Sequence, residues 1–411
     1  MVGPISRTAA PRVGSALLAV ALSAIAACST GGDSGGSSST QSSTERTESS
    51  AASTADFPLD ATIRLDQVQV LGTHNSYHVQ AEPELFAAML AVAPDLTRTL
   101  EYSHAPLTEQ LDRYGIRQLE LDVFADPDGG MYAEPAALPI LGRDPPADPD
   151  WRKPGFKVLH VQDVDFGTTC ILFVSCLEQV KAWSDAHSGH VPILVLVEGK
   201  DEAITLEAPL EWTVPVPIGA AELDALDAEI RSVFDEKDLV TPDLVRGDYA
   251  TLGEAVSSDG WPPLGAVRGR VVFALLDSSS QRDAYLRGHP TLEGRVMFTN
   301  SEPGHDDSAF TNRDDPVAEA GAISAALEAN MLVRTRADAD TAQARDNDTR
   351  MRDAALASGA QLVSTDYEKA NPDFGPYVVK ISGGTPARCN PVTAPTERRP
   401  HDIENPAHLA R

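Results

Sequence analysis

The stretch PILVLVEGK, residues 192–200, decides the fold. Five consecutive apolar residues, Ile193 to Val197, run without any polar alternation and then break into Glu198, Gly199 and Lys200. A strand with one wet face would alternate; an unbroken run of this length belongs to a strand buried on both faces, as in a parallel sheet covered by helices. Seven further runs of similar size punctuate the chain: VQVLG (68–72), RQLELDVF (117–124), KVLHV (157–161), RVVFALLD (270–277), VMFTN (296–300), MLVRTR (331–336) and AQLVST (360–365). Helical patterns fall between many of them, at 177–189, 220–235 and 314–330. Strands alternating with helices give βαβ units, and eight of them predict an α/β fold, a (β/α)8 TIM barrel with strands three and four at 157–161 and 192–198. The domain is expected over residues 57–395, with a tail at 396–411 and no second domain or internal repeat.

The polar residues keep phase with these runs. His74 and Asn75 follow the first, Glu120 and Asp122 lie in the second, and His160 and Asp163 close the third. Glu198 and Lys200 end the fourth, Asn300 ends VMFTN, Arg334 and Arg336 end MLVRTR, and Asp366 follows the last. Strand C-termini of a barrel share one mouth, so these side chains are predicted to converge there. Glu120 and Asp122, two apart on a strand, point the same way. Paired carboxylates repel unless a proton or cation lies between them. With Glu198 and the amide oxygen of Asn75 they make four oxygen ligands, a set that favours one Ca2+ over zinc or magnesium. The alternative for any one acid is a structural ion pair, for instance with Arg117. His74 and His160, titrating near neutral pH, suit proton transfer or donation to a phosphoryl oxygen; the alternative is a pair of satisfied core histidines. His78 is expected at the loop surface, with Ser76 and Tyr77 as turn and support, and His289 and His305 show no pattern.

The chain ends and the charge set the surroundings. Residues 1–27 carry Arg7 and Arg12, an apolar run from Val13 to Ala27, and then Cys28 after two alanines. This reads as a lipoprotein signal with Cys28 as the acylated residue, an ordinary secretory signal being the alternative. The apolar run is short for a bilayer span of about 20 residues. Residues 28–56 are rich in Gly, Ser and Thr, the composition of a flexible tether. The expected location is therefore outside the cytoplasm, lipid-anchored to the membrane or else secreted, with a monomer expected. The formal charge is -28, from 33 basic and 61 acidic residues. Such a balance excludes nucleic acid, which binds through Lys and Arg, and disfavours general adhesion to anionic membranes. Four cysteines occur; Cys170 and Cys176 are close enough to close a small loop in an exported protein, and the state of Cys389 is left open.

GTHNSY (72–77), LELDV (119–123), KVLHVQD (157–163) and LVEGK (196–200) together resemble the catalytic segments of calcium-dependent phosphoinositide-type phospholipase C. The similarity is to the bacterial secreted branch of the PLC-like phosphodiesterase barrels. TPDLVRG (241–247), GWPPLGAVRGRVVF (260–273), VRTRAD (333–338) and VSTDY (363–367) extend it across residues 66–395. The resemblance implies Asn75, Glu120, Asp122 and Glu198 as calcium ligands. It implies His160 as the general acid for the leaving glyceride oxygen and His74 as a group stabilising the pentavalent phosphorus. An inositol 2-hydroxyl would attack phosphorus after losing its proton to Glu120 or Glu198. Lys200 and Arg336 are the candidates to hold the headgroup, and the substrate would be a phospholipid at a membrane surface. A glycerophosphodiester phosphodiesterase is the alternative on the same barrel, though that family opens strand 1 with His-Arg where this chain has His74-Asn75. A non-catalytic lipoprotein binding module is the third reading. The Pro-rich stretch after Gly129, MYAEPAALPILGRDPPADPDW, departs from the pattern at the approach to His160.

Overall fold

A computed structural model of the chain describes residues 59–204, 210–395 and 403–404. The expected signal, Cys28, the whole tether and the expected tail apart from residues 403–404 lie outside the described residues. Eight strands form the barrel: β1 Val68–Thr73, β2 Gln118–Phe124, β4 Ile193–Gly199, β5 Val271–Leu275, β6 Met297–Thr299, β7 Phe310–Asn312, β8 Leu332–Arg336 and β9 Leu362–Thr365. Their order is β6-β5-β4-β2-β1-β9-β8-β7, every hydrogen-bonded neighbour is parallel, and a parallel bridge between Asn300 and Phe310 brings the two ends together. Residues 193–197 are all buried, as the unbroken apolar run requires.

One stave is not where it was expected. Residues 157–161 contribute only β3, Lys157–Val158, which runs antiparallel against the end of β2 and stands outside the barrel. The eighth stave is instead β7, three residues in the polar context DDSAFTNRDD. A three-residue strand has no readable period, and its neighbours supply the register. A last strand, β10 Ala387–Cys389, pairs antiparallel with the start of β1.

Helices cover the outside. Phe173–Ala186 buries Phe173, Cys176, Leu177, Val180 and Trp183, and Ala220–Val233 buries Leu223, Leu226 and Ile230, both at helical spacing. A disulfide joins Cys170 to Cys176 at the start of the first of these helices, while Cys389 is buried. No helix of the described residues is long and apolar enough to cross a membrane.

The strand N-termini are closed by a buried ion pair. Arg117, at the foot of β2, donates to Glu404 at 2.5 and 3.0 Å, and Glu404 also accepts the backbone N–H of Val191 at 2.6 Å. Both side chains are essentially inaccessible. Glu404→Ala would strand the Arg117 charge in a dry site, which typically costs about 3–5 kcal/mol. A clear drop in Tm is expected, and an unchanged Tm would show that the pair is dispensable.

Candidate active site

The end of β1 is built to turn sharply. Asn75 adopts a left-handed conformation, φ 46°, which asparagine tolerates better than most residues. Ser76 stitches the turn to β2: its N–H donates to Glu120 O at 2.9 Å and its hydroxyl accepts the Glu120 N–H at 2.8 Å. The Asn75 amide group donates to the Tyr102 hydroxyl at 3.2 Å, leaving Asn75 Oδ1 buried without a hydrogen-bond partner.

The strand that this turn is stitched to carries two of three clustered acids. Carboxylate oxygens of Glu120, Asp122 and Glu198 lie within 4.8 Å of one another. Neither Asp122 oxygen meets hydrogen-bond geometry, although Lys200 Nζ approaches Oδ2 at 3.1 Å as an ion pair. Lys200 also lies 2.8 Å from Glu198 Oε1, and Arg334 Nη2 donates to Glu120 Oε2 at 2.6 Å. Burial pushes the Glu120 carboxyl up to about 8; Arg334 opposes this, and Asp122 and Glu198 add to it. The Glu198 carboxyl is also raised, by burial and then by the Asp122 charge. Three carboxylates, two of them buried, crowd together against the cations Lys200 and Arg334, and the Asn75 amide oxygen is unsatisfied. A hard divalent cation supplies what is missing, and an all-oxygen donor set is what calcium takes. The four ligands expected from sequence, Asn75, Glu120, Asp122 and Glu198, fit such an ion.

Arg117, considered as a partner for these acids, is engaged with Glu404; the buried cation beside Glu120 is Arg334. Lys200, expected to hold the headgroup, has its ammonium on Asp122 and Glu198. Both Lys200 and Arg336 nevertheless line the cavity of about 460 Å3 onto which His74, Glu120, His160 and Glu198 open.

The two histidines are held differently. His74 Nδ1 is 2.9 Å from Asp366 Oδ1; Asp366 is held ionised well below the usual carboxylate range despite its burial, chiefly by Arg336 and then His74. A carboxylate only accepts, so Nδ1 carries the proton and Nε2 is left as an acceptor. Arg336 grips the same aspartate at 3.0 Å and approaches His74 Nε2 at 3.4 Å. Burial, reinforced by Arg336, lowers His74 to about 3, so the ring is neutral. His160 follows β3 rather than ending a stave, on the turn into a tight hairpin closed by a Val161–Asp165 bridge, and still reaches the cavity. Burial opposes its charge, but the hydrogen bond from Nδ1 to Asp165 Oδ2 at 2.8 Å and the aspartate charge outweigh that, and its pKa is raised.

Asp165 escaped the sequence reading, and His78 was misplaced by it. His78 is fully buried, lies tilted against the Tyr102 ring at 4.4 Å between centroids and places Nε2 3.0 Å from Asp165 Oδ2. His160, Asp165 and His78 thus form a hydrogen-bonded chain in which both imidazoles spend a nitrogen on the shared carboxylate. Asp165 is the charge that raises the His160 pKa, so Asp165→Asn should lower it. Fewer enzyme molecules then carry the acid at a given pH. The basic limb of the kcat profile should move to lower pH, with a loss at neutrality of about 10–100-fold, the usual effect of removing a residue that orients a functional group. A profile that keeps its basic limb in place contradicts this role.

Comparisons with known proteins bear on the same residues. The family model described as phosphoinositide phospholipase C, Ca2+-dependent, matches residues 63–391. Among solved structures, a calcium-dependent phosphoinositol-specific phospholipase C from a Gram-negative Pseudomonas species shares 15% identity, covering 82% of this chain and 100% of that one, with a TM-score of 0.48. A Ca2+-dependent phosphatidylinositol-specific phospholipase C from Streptomyces antibioticus shares 19%, covering 74% and 95%, at 0.47. A glycerophosphoryl diester phosphodiesterase from Parabacteroides distasonis shares 12%, covering 75% and 86%, at 0.25. Structural likenesses of this size carry no weight beside the family match. No curated protein matches the chain.

Proposed function

Since the chain belongs to the Ca2+-dependent phosphoinositide phospholipase C family, we propose that it cleaves phosphatidylinositol-type lipids at the glycerol side of the phosphodiester, with Asn75, Glu120, Asp122 and Glu198 holding one calcium ion. The observation that carries this is the convergence of three carboxylates, Glu120, Asp122 and Glu198, at a cavity onto which two oriented histidines open, with the Asn75 amide oxygen buried and unsatisfied. Bound there, calcium lowers the pKa of the attacking hydroxyl and neutralises phosphoryl charge.

The protein's own groups do the rest. Arg336, fixed by Asp366, brings positive charge to the phosphoryl oxygens, a service the neutral His74 does not perform. His74 offers Nε2 as an acceptor toward the cavity. Both carboxylates able to take the hydroxyl proton open onto the cavity and each meets a cation, but Glu120 is buried against Arg334 whereas Glu198 is partly exposed and the more accessible to substrate. Glu198 is therefore assigned as base. His160, whose pKa Asp165 raises, protonates the glyceride oxygen as it departs. An attack by the substrate's own 2-hydroxyl yields a cyclic inositol phosphate, and water then opens it.

The test is release of water-soluble inositol phosphates from phosphatidylinositol vesicles, abolished by a calcium chelator. Release of glycerol 3-phosphate from glycerophosphodiesters, with phosphatidylinositol untouched, would overturn the reading.

Anchoring through acylated Cys28, outside the cytoplasm, is proposed from the signal-like residues 1–27 and the Gly/Ser/Thr-rich tether. Cys28→Ser should move the protein from the membrane fraction to the soluble one. Retention of the variant in the membrane fraction would count against the lipid anchor.

A further inference from the structure

The Pro-rich insertion after Gly129 takes no part in the chemistry above, yet it builds a second concavity next to it. Residues 138–146, the chain entering helix Pro83–Val92, and residues 164–167 enclose about 270 Å3. Val79, Leu85, Leu138, Leu141, Val164 and Phe166 line it. Leu85 is buried; the other five are only half-buried. Scattered surface apolar groups need no explanation, but five converging in one concavity do.

The groove is held open by its own framework. Arg143 reaches across to Glu82 at 2.7 Å and Glu84 at 3.1 Å, fastening the insertion to the helix start. The inner wall is the hairpin after His160. Asp163 at its tip, φ 71°, accepts the N–H of Ala136 at 3.0 Å and of Thr213 at 2.7 Å. Gly167 lies so close to Val79 that a Cβ would sit 2.0 Å from the Val79 carbonyl oxygen.

That wall has two sides. Val161 and Gln162 line the catalytic cavity, while Val164 and Phe166 line the groove. Asp165, between them, holds the His160 ring that delivers a proton to the departing glyceride. The leaving group's chains therefore start beside this wall. We propose that the groove receives one acyl chain of the glyceride leaving group, an inference that rests on the phospholipase C reading. At ~30 Å3 for each water-sized group, it has room for about nine methylenes. The charged members of the lining, Glu82, Glu84, Arg143 and Asp144, lie toward the exposed surface. An alkyl chain asks for no hydrogen bonds inside such a groove, whereas a peptide would bring backbone groups with no partner there.

The test compares glycerophosphoinositol with dibutanoyl, dihexanoyl and dioctanoyl phosphatidylinositol, all below the concentration at which they aggregate, using the full chain with calcium. For wild type, kcat/KM should climb by up to about fourfold per methylene added to the seated chain across the whole series, whose longest chain still fits the groove. Leu138→Asp with Leu141→Asp should flatten the series and leave cleavage of glycerophosphoinositol unchanged. Binding of dihexanoylglycerol, measured by calorimetry, should weaken at least tenfold in the same variant. That measurement needs no turnover, so it separates failure of the groove from failure of the phospholipase reading. A wild-type series that is flat for monomeric substrates overturns the proposal. So does equal diacylglycerol binding by the variant, or self-association that the two substitutions abolish.

Discussion

His160→Ala is expected to slow cleavage of phosphatidylinositol by about 10²–10⁴-fold, the usual worth of a positioned acid, while leaving calcium affinity unchanged. A glyceride alkoxide is a poor leaving group and must be protonated as the P–O bond breaks. His160 opens onto the cavity with its pKa raised, and Asp165 fixes its Nδ1 so that the other nitrogen is the one presented. The same variant should lose far less activity on an aryl inositol phosphodiester, because a phenolate departs without a proton. An equal loss on both substrates would mean that His160 orients the substrate and does not protonate it. His74→Ala should not show this leaving-group dependence, since its ring is neutral and tied to Asp366.

Asp122→Asn is expected to weaken calcium binding by more than the roughly 10–100-fold that follows loss of a residue behind a ligand. Asp122 is fully buried, and neither of its oxygens meets hydrogen-bond geometry. The amide keeps the shape and removes the charge, so the loss reports electrostatics and not packing. Calorimetry should record the weaker binding, and the rise in Tm that calcium gives the wild type should vanish at the same calcium concentration. Calcium affinity equal to wild type would place the ion elsewhere.

Much of this was legible in sequence because a barrel strand carries two messages. Its apolar run reports burial on both faces, and the residues that end it report the mouth. That logic placed β1, β2, β4, β5, β6, β8 and β9, and with them Asn75, Glu120, Asp122 and Glu198. It failed at KVLHV, where a short apolar run belongs to an antiparallel extension of β2, and at FTN, too short to show any period. His160 was still found, because its hairpin returns it to the mouth. Asp165 and buried His78 were missed since their partnership depends on segments 87 residues apart. The ion pairs of Lys200 with Asp122 and Glu198 were not legible either, because its position at the end of β4 does not reveal which way a long side chain turns.

A crystal structure of the protein soaked with calcium tests the account most directly. The account predicts one ion bound by oxygens of Asn75, Glu120, Asp122 and Glu198 at about 2.3–2.6 Å, with the Lys200 ammonium displaced from Asp122 or Glu198 to admit it. An ion bound away from these four residues, or no ion at millimolar calcium, would contradict it.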